Sequence, residues 1–230
     1  MKIGILGTGI VARTLGGKLV QKGMDVAFGT RDVSSTLART QKDGMGNLPF
    51  GEWIGTVPGA RLNTFAEAAA HGEVVVNATS GTVSLQALTL AGSHNLASKI
   101  LMDVSNPLDF SKGFPPSLTV CNTDSLAEQI QRAFPEVKVV KTLNTLSAKL
   151  MVDPAAVPGD HSIFVSGNDA DAKRTVIGYL HEWYGWKTSN IIDMGDVTTA
   201  RGTEMLLPVW VRLYGVFQSP MFNFHIVRGS

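Results

Sequence analysis

Ile3-Gly4-Ile5-Leu6-Gly7-Thr8-Gly9-Ile10-Val11-Ala12 is the stretch from which the fold is read. An apolar run leads into Gly-x-Gly-x-x-Ala, and a helix-like segment follows as far as position 22. A dinucleotide-binding unit needs that order: a buried strand, a tight turn, then a helix whose amino end faces a pyrophosphate. Gly7 makes the turn without a Cβ clash, Gly9 lets backbone N–H groups approach phosphates, and Ala12 lets helix and strand pack closely. A second apolar run, Val26-Ala27-Phe28-Gly29, completes strand, helix, strand. A Gly-rich turn in an α/β domain without a ligand uses the same small residues, so the flanking elements are what favour nucleotide binding.

Thr30-Arg31 ends that second run. NAD-binding sheets carry Asp or Glu there, accepting bonds from the ribose hydroxyls. A hydroxyl and a guanidinium suit a 2′-phosphate, which Arg can bind through two parallel charge-assisted bonds. NADP(H) is therefore expected in preference to NAD(H). The competing readings are that Arg31 is a solvated loop cation and that Asp32 is its surface partner.

The 230 residues suffice for one large α/β domain or a domain with a small appendage. A 44% hydrophobic and 17% charged composition provides for a substantial core. With net charge +1 and no basic run, neither nucleic acid nor an anionic membrane surface is an expected partner. The one cysteine, Cys121, excludes an internal disulfide and a Cys-based zinc knuckle, suits a reducing cytoplasm, and is expected to fill a core gap. Because the first strand opens the sequence, no secretory leader is expected. The apolar stretch 205–217 is short for a bilayer span and contains Pro208 and Arg212.

Beyond Arg31, 34–42 reads as a short helix, and 43–60, with five glycines and two prolines, as a long loop. Trp53 within it is either a cover over a ligand or the plug that anchors the loop. Thr64-Phe65-Ala66-Glu67 is a capping box opening a helix to 71, and Ser125-Leu126-Ala127-Glu128 is a second, stopped by Pro135. Strands are expected at 73–78, 100–104 and 137–141, each running into small or polar residues. In an open parallel sheet those carboxyl ends line the ligand crevice, which puts residues 7–11, Thr79-Ser80, Asn106-Pro107 and Leu143-Asn144 on one rim. Later elements are a strand at 162–165, a helix at 170–183, a strand at 190–193 and a helical tail from 197. In that tail Leu206, Trp210, Leu213 and Phe217 make one apolar face, and Pro208 starts or kinks the helix. The expected organisation is a Rossmann-type, doubly wound α/β fold with a mainly parallel sheet. A nucleotide-binding domain would span 1–144 and a small carboxy-terminal α/β lobe 145–230.

The sequence offers no catalytic acid. Tyr-x-x-x-Lys is absent, and Lys149 is followed four residues on by Asp153, a spacing for a salt bridge or local capping. His71, His94, His161, His181 and His225 show no metal-ligand spacing. Asp160-His161 reads better as a loop than as a catalytic pair, and Asp193 and Asp196 as turn and helix-entry residues. A missing acid favours an acceptor that brings its own electrophilic ring, a flavin or a deazaflavin, with the protein positioning two rings face to face.

Met1-Lys2-Ile3-Gly4-Ile5-Leu6-Gly7-Thr8-Gly9, Gly29-Thr30-Arg31-Asp32, Val76-Asn77-Ala78-Thr79, Asp103-Val104-Ser105-Asn106-Pro107-Leu108, Val140-Lys141-Thr142-Leu143-Asn144-Thr145 and Arg201-Gly202-Thr203-Glu204 resemble the F420-dependent NADP oxidoreductases, most closely their bacterial branch. The resemblance runs over nearly the whole chain and implies a homodimer that passes hydride between NADP(H) and coenzyme F420. It implies that Gly7, Thr8, Gly9, Ile10 and Val11 hold the pyrophosphate and ribose, and that Thr30 and Arg31 hold the 2′-phosphate. Ala78, Thr79, Ser80, Asn106, Pro107, Asn144 and Ala148 would surround the nicotinamide and the deazaflavin, with Asn144 as an orienter. The chain departs from the family in having Ser34-Ser35-Thr36 where members often carry a further Lys or Arg, and Asn144 where archaeal members carry His. Asn at that place also resembles the cytoplasmic NADPH domain of the STEAP metalloreductases, which hand hydride to FAD. The acceptor stays open among F420, FMN or FAD, and a small imine or quinone. A non-catalytic NADP(H)-sensing module that docks a partner through the apolar tail is the reading outside enzymology.

Overall fold

The computed structural model describes residues 1–43 and 46–229; Gly44 and Met45, inside the stretch expected to be a loop, lie outside the described residues, as does Ser230. The chain runs β1 (Lys2–Leu6), α1 (Ile10–Gln21), β2 (Asp25–Thr30), α2 (Val33–Leu37), α3 (Phe50–Gly55), β3 (Arg61–Thr64), α4 (Phe65–His71), β4 (Val74–Asn77), α5 (Ser84–Ala91), α6 (Ser93–Leu96) and β5 (Ile100–Asp103). It continues through a hairpin, β6 (Leu108–Asp109) and β7 (Ser117–Leu118), to α7 (Leu126–Ala133), β8 (Lys138–Thr142), α8 (Ala148–Val152), β9 (Ile163–Ser166), α9 (Ala170–Tyr184), β10 (Ile191–Gly195), α10 (Ala200–Met205) and α11 (Leu207–Phe217).

Among the described residues one eight-stranded sheet has the order β10-β9-β8-β5-β4-β1-β2-β3. Its pairs from β3 across to β8 are parallel; β9 runs antiparallel to β8, and β10 parallel to β9. This is the Rossmann-type, doubly wound fold. The chain leaves β1 for β2 on one side and comes back to β4 on the other, so the crevice opens above the β1 and β4 carboxyl ends. Residues 145–230 supply β9 and β10, which continue the same sheet.

The strands are apolar on both faces because helices cover both. Ile3, Ile5, Val74 and Val76 turn to the face packed by Leu15 and Leu19 of α1 and by Val176, Leu180 and Trp183 of α9. Leu6, Val75 and Leu101 turn to the other, against Ala68, Leu88 and Ile130. Helix α1 lies close to the sheet because Gly16 has no Cβ; one there would stand 2.2 Å from the Phe28 ring.

Several local expectations hold. Thr64 and Glu67 form the reciprocal capping box of α4. Ser125 Oγ accepts from Glu128 N at 3.2 Å and donates to its carboxylate at 2.6 Å. Pro208 lies in the first turn of α11, separating it from α10.

Others are corrected. Helix α2 ends at Leu37, well short of 42. The stretch 43–60 contains α3, because Phe50 and Trp53 fall on one face and bury themselves edge-on against Phe28, at centroid distances of 5.5 and 5.4 Å. Trp53 packs as an anchor of this stretch while staying half-buried, and the Arg13 guanidinium lies over it. Cys121 is exposed, in the turn before α7, and fills no core gap. On α11 the fully buried residues are Leu207 and Val211, whereas Leu206, Trp210 and Leu213 are half-buried and Phe217 is exposed.

Candidate functional site

The turn after β1 is built for close approach. Gly7 has φ +120°, and a Cβ there would stand 2.6 Å from the Ala78 carbonyl oxygen at the end of β4. Only glycine tolerates both conditions. Gly9 caps α1 with no side-chain bond, and a Cβ on it would meet nothing within 4 Å. The first N–H groups of α1 therefore face open space, as an anion site at a helix amino end requires. Arg13 fixes the turn from behind, its Nε donating to Thr8 O at 2.9 Å and its guanidinium also to Leu48 O. Ile10 is exposed and Val11 half-buried along this edge.

At the end of β2, the Thr30 hydroxyl is buried against Thr36 Oγ1 at 2.8 Å, so it shapes the turn and its oxygen is already engaged. Arg31 is exposed, and its guanidinium donates to Gln86 Oε1 at 2.9 Å. Asp32 is occupied as the cap of α2; the bond from the Ser35 backbone N–H holds its carboxyl below the usual range. A cavity of about 390 Å³ lies here, lined by Arg31, Ser35, Thr36 and Arg39 among others. Arg39 also borders a second cavity of about 700 Å³ reaching Gly9 and Arg13. The sequence reading missed Arg39; its signal was a second arginine one short helix beyond Arg31.

At the other end of the rim, Asn106 and Asn144 meet. Asn144 Nδ2 donates to Asn106 Oδ1 at 3.0 Å and to Thr203 O at 3.1 Å, while Asn106 Nδ2 donates to Asn144 O at 2.8 Å. Both amide protons of Asn144, which is only 3% exposed, are thus committed, and Oδ1 is its remaining polar side-chain atom. Leu143, with φ +55°, is in the left-handed region that costs a non-glycine residue roughly 1 kcal/mol or more, and it turns the chain out of β8 to place Asn144. Pro107 is buried beside Asn106, and Ala148 opens α8.

The Thr79 hydroxyl turns inward, donating to Asn77 Oδ1 at 2.7 Å and lying 2.8 Å from Ser84 Oγ. Ser80 is exposed and pairs with the Thr82 hydroxyl. Beneath the rim, Asn77 Nδ2 donates to Asp103 Oδ1 at 2.8 Å, and the other Asp103 oxygen accepts from Lys141 Nζ at 2.9 Å. Lys141 also reaches Glu204 Oε1 at 2.8 Å and Ser105 O at 2.6 Å. Asp103, Lys141 and Glu204 are each at most 1% exposed. Burial alone would push the Lys141 ammonium down, but the two carboxylates outweigh it and hold it above its ordinary value. Asp103, Lys141 and Glu204 each lie in a segment that carries the family resemblance, but their contact is between residues far apart in the chain.

The remaining candidates stand apart from the rim. His161 is buried, bonded to Pro154 O and to Asn223, while Asp160 pairs with Lys187. Asp153 N donates to Lys149 O and ends α8, the capping alternative of the two expected. Asp196 caps the short turn before α10, and Asp193 binds Lys173. Among the described residues no group of three His, Cys, Asp or Glu could hold a metal ion, and no helix is long and apolar enough to cross a membrane.

Residues 2–107 match the family model of coenzyme F420-dependent NADP oxidoreductases. A crystal structure of a candidate F420-dependent NADP-reductase from Arthrobacter sp. FB24 is 55% identical, with TM-score 0.92, over 99% of this chain and 100% of that one. The chain is 31% identical over 91% of its length to Metalloreductase STEAP3 of Rattus norvegicus, of which it spans 38%. It is 28% identical over 64% of its length to the F420-dependent NADP reductase of Methanocaldococcus jannaschii, of which it spans 64%. It thus spans less than two thirds of each of these two curated relatives.

Proposed function

The chain belongs to the coenzyme F420-dependent NADP oxidoreductases, a family of NADP-linked oxidoreductases, and on that premise we propose that it passes a hydride between NADP(H) and coenzyme F420. One observation carries the reading: the strand-end rim has paired arginines at one end, an open helix amino terminus in the middle and a fixed amide pair at the other.

Arg31 and Arg39 hold the 2′-phosphate, with Ser35 as a further donor, while Asp32, which lines the same cavity, caps α2 through Oδ1. Gly7, Thr8, Gly9, Ile10 and Val11 line the pyrophosphate and its ribose. Ala78, Thr79, Ser80, Asn106, Pro107, Asn144 and Ala148 border the nicotinamide end, where Asn144 Oδ1 accepts a hydrogen bond and fixes the ring's orientation. When bound, the dihydronicotinamide supplies a hydride and the deazaflavin takes it up. The protein's part is alignment, because the acidic and basic groups beneath the rim are buried and engaged with one another.

The likeness to a metalloreductase over 91% of the chain favours a second reading, with FMN or FAD as the acceptor. A cytoplasmic homodimer is part of the proposal; Val209, Val216 and Phe217 leave apolar surface on α11 for a partner copy, and light scattering measures it. The test of hydride transfer is NADPH carrying two deuterium atoms at C4 of the nicotinamide. Deuterium recovered in reduced F420 supports direct transfer, and its complete loss to solvent refutes it.

A further inference from the structure

Arg201-Gly202-Thr203-Glu204 stands far from the nucleotide turn in sequence, yet three of its groups converge on the rim's foundations. Arg201 binds Glu128 through Nε at 2.8 Å and Nη2 at 2.5 Å, tying α10 to α7. The Thr203 carbonyl accepts from Asn144. Glu204 accepts from Leu126 N at 2.8 Å and Ala127 N at 3.1 Å, capping α7 from another element, and meets Lys141. Lys141 in turn grips Asp103 and the Ser105 carbonyl. Each grip is next to a rim residue or close to it: Ser105 precedes Asn106, Glu204 follows Thr203, and Lys141 lies on the strand whose end turns at Leu143 to present Asn144.

A buried ion pair adds little net stability over an apolar pair of the same volume. What it adds here is direction. Five hydrogen bonds converge on two side chains and fix four segments, the ends of β5 and β8, the start of α7 and helix α10, relative to one another. Leu143 takes its left-handed turn immediately before Asn144, whose side chain is bonded to two of the other segments through Asn106 and Thr203. We propose that the Lys141–Glu204 ion pair is a positioning device for the nicotinamide end of the cofactor. It sets the Thr203 carbonyl, and through it Asn144 Oδ1, without touching the ligand. This rests on the placement of the nicotinamide beside Asn144 given above.

Glu204→Gln tests it. The amide nitrogen must face a donor, either Lys141 Nζ or the α7 backbone, so the grip is misdirected while the volume is kept. The control is Arg201→Gln, which loosens α10 from α7 without contact to Asn144. Two probes separate the ends of the cofactor: competition by 2′,5′-ADP reads the adenosine end, and the emission and anisotropy of NADPH at saturation read the dihydronicotinamide. In Glu204→Gln, 2′,5′-ADP affinity stays within about twofold, bound NADPH emission moves back toward that of the free cofactor, and turnover falls roughly ten- to a hundredfold. Arg201→Gln lowers the melting temperature and keeps the wild-type emission. If Glu204→Gln does not fold, Glu204→Asp, which retains the charge opposite Lys141 on a shorter arm, takes its place under the same criterion. Wild-type emission in the Glu204 variant, or an equal change in Arg201→Gln, overturns the proposal. A wild-type protein that binds neither NADPH nor 2′,5′-ADP overturns the nucleotide reading itself, and a wild type that binds both but reduces no F420 overturns only the acceptor.

Discussion

Gly81 and Asn106 are so close that a Cβ on Gly81 would stand 2.0 Å from the Asn106 carbonyl oxygen. The loop after β4 therefore rests directly on the backbone of the loop after β5, and the rim's nicotinamide end is a stack of two main chains. Gly81→Ala must push them apart, at a cost of roughly 1–3 kcal/mol. The expected result is a lower melting temperature together with a fall in turnover, measured by thermal denaturation and steady-state kinetics. A variant that melts and turns over like the wild type refutes the close contact.

Arg31→Glu should weaken NADPH by about ten- to a hundredfold, the range for losing charge-assisted bonds to a phosphate, and change NADH much less. Calorimetric titration of both cofactors reads the ratio. An unchanged ratio removes Arg31 from the 2′-phosphate site. Arg39→Gln should shift the ratio in the same direction, since both guanidinium groups line one cavity.

Trp53→Ala separates a plug from a ligand cover. The indole packs on Phe28 and Phe50 with Arg13 above it. Removing it should lower stability by about 3 kcal/mol in a denaturant titration, with NADPH affinity within twofold of the wild type. Unchanged stability with a raised KM for the acceptor would make Trp53 a cover after all.

Asp124 is one of the carboxylates that make stability depend on acid. Its carboxylate takes two bonds from Arg132, which hold its pKa down at about 2. A group whose pKa is depressed by folding contributes stability above its unfolded value of about 4, and that contribution is lost as the pH falls toward 2. Because the Arg132 side chain is 60% exposed, the contribution is within about 1 kcal/mol. Arg132→Gln should therefore melt lower than the wild type at pH 5, and the two curves should converge near pH 2. A gap that stays constant across that range excludes the linkage.

Much of the nucleotide half is legible in the residues. Gly7 and Gly9 announce the turn, Thr64-x-x-Glu67 announces α4, and polar residues follow each apolar strand at the ends that form the rim. Other features leave weaker traces. Helix α3 is masked by Pro49, Gly51 and Gly55, which lower local helix propensity; the spacing of Phe50, Trp53 and Ile54 was its only sign, and packing on Phe28 overrides the propensity. Leu143 gives no warning of a positive φ, because leucine rarely adopts one and does so here under tertiary restraint. The residues Asp103, Lys141 and Glu204 stand in segments of the family resemblance, but their pairing could not be read, since contact between residues distant in the chain is a property of the sheet order and the return of α10.

The most direct measurement is anaerobic mixing of the protein and NADPH with oxidised F420, and in parallel with FMN and with FAD, following the absorbance of each acceptor. Hydride transfer to a deazaflavin predicts rapid bleaching of F420 and slow or no bleaching of the flavins. Bleaching of a flavin with F420 untouched contradicts it and assigns the acceptor to the flavins.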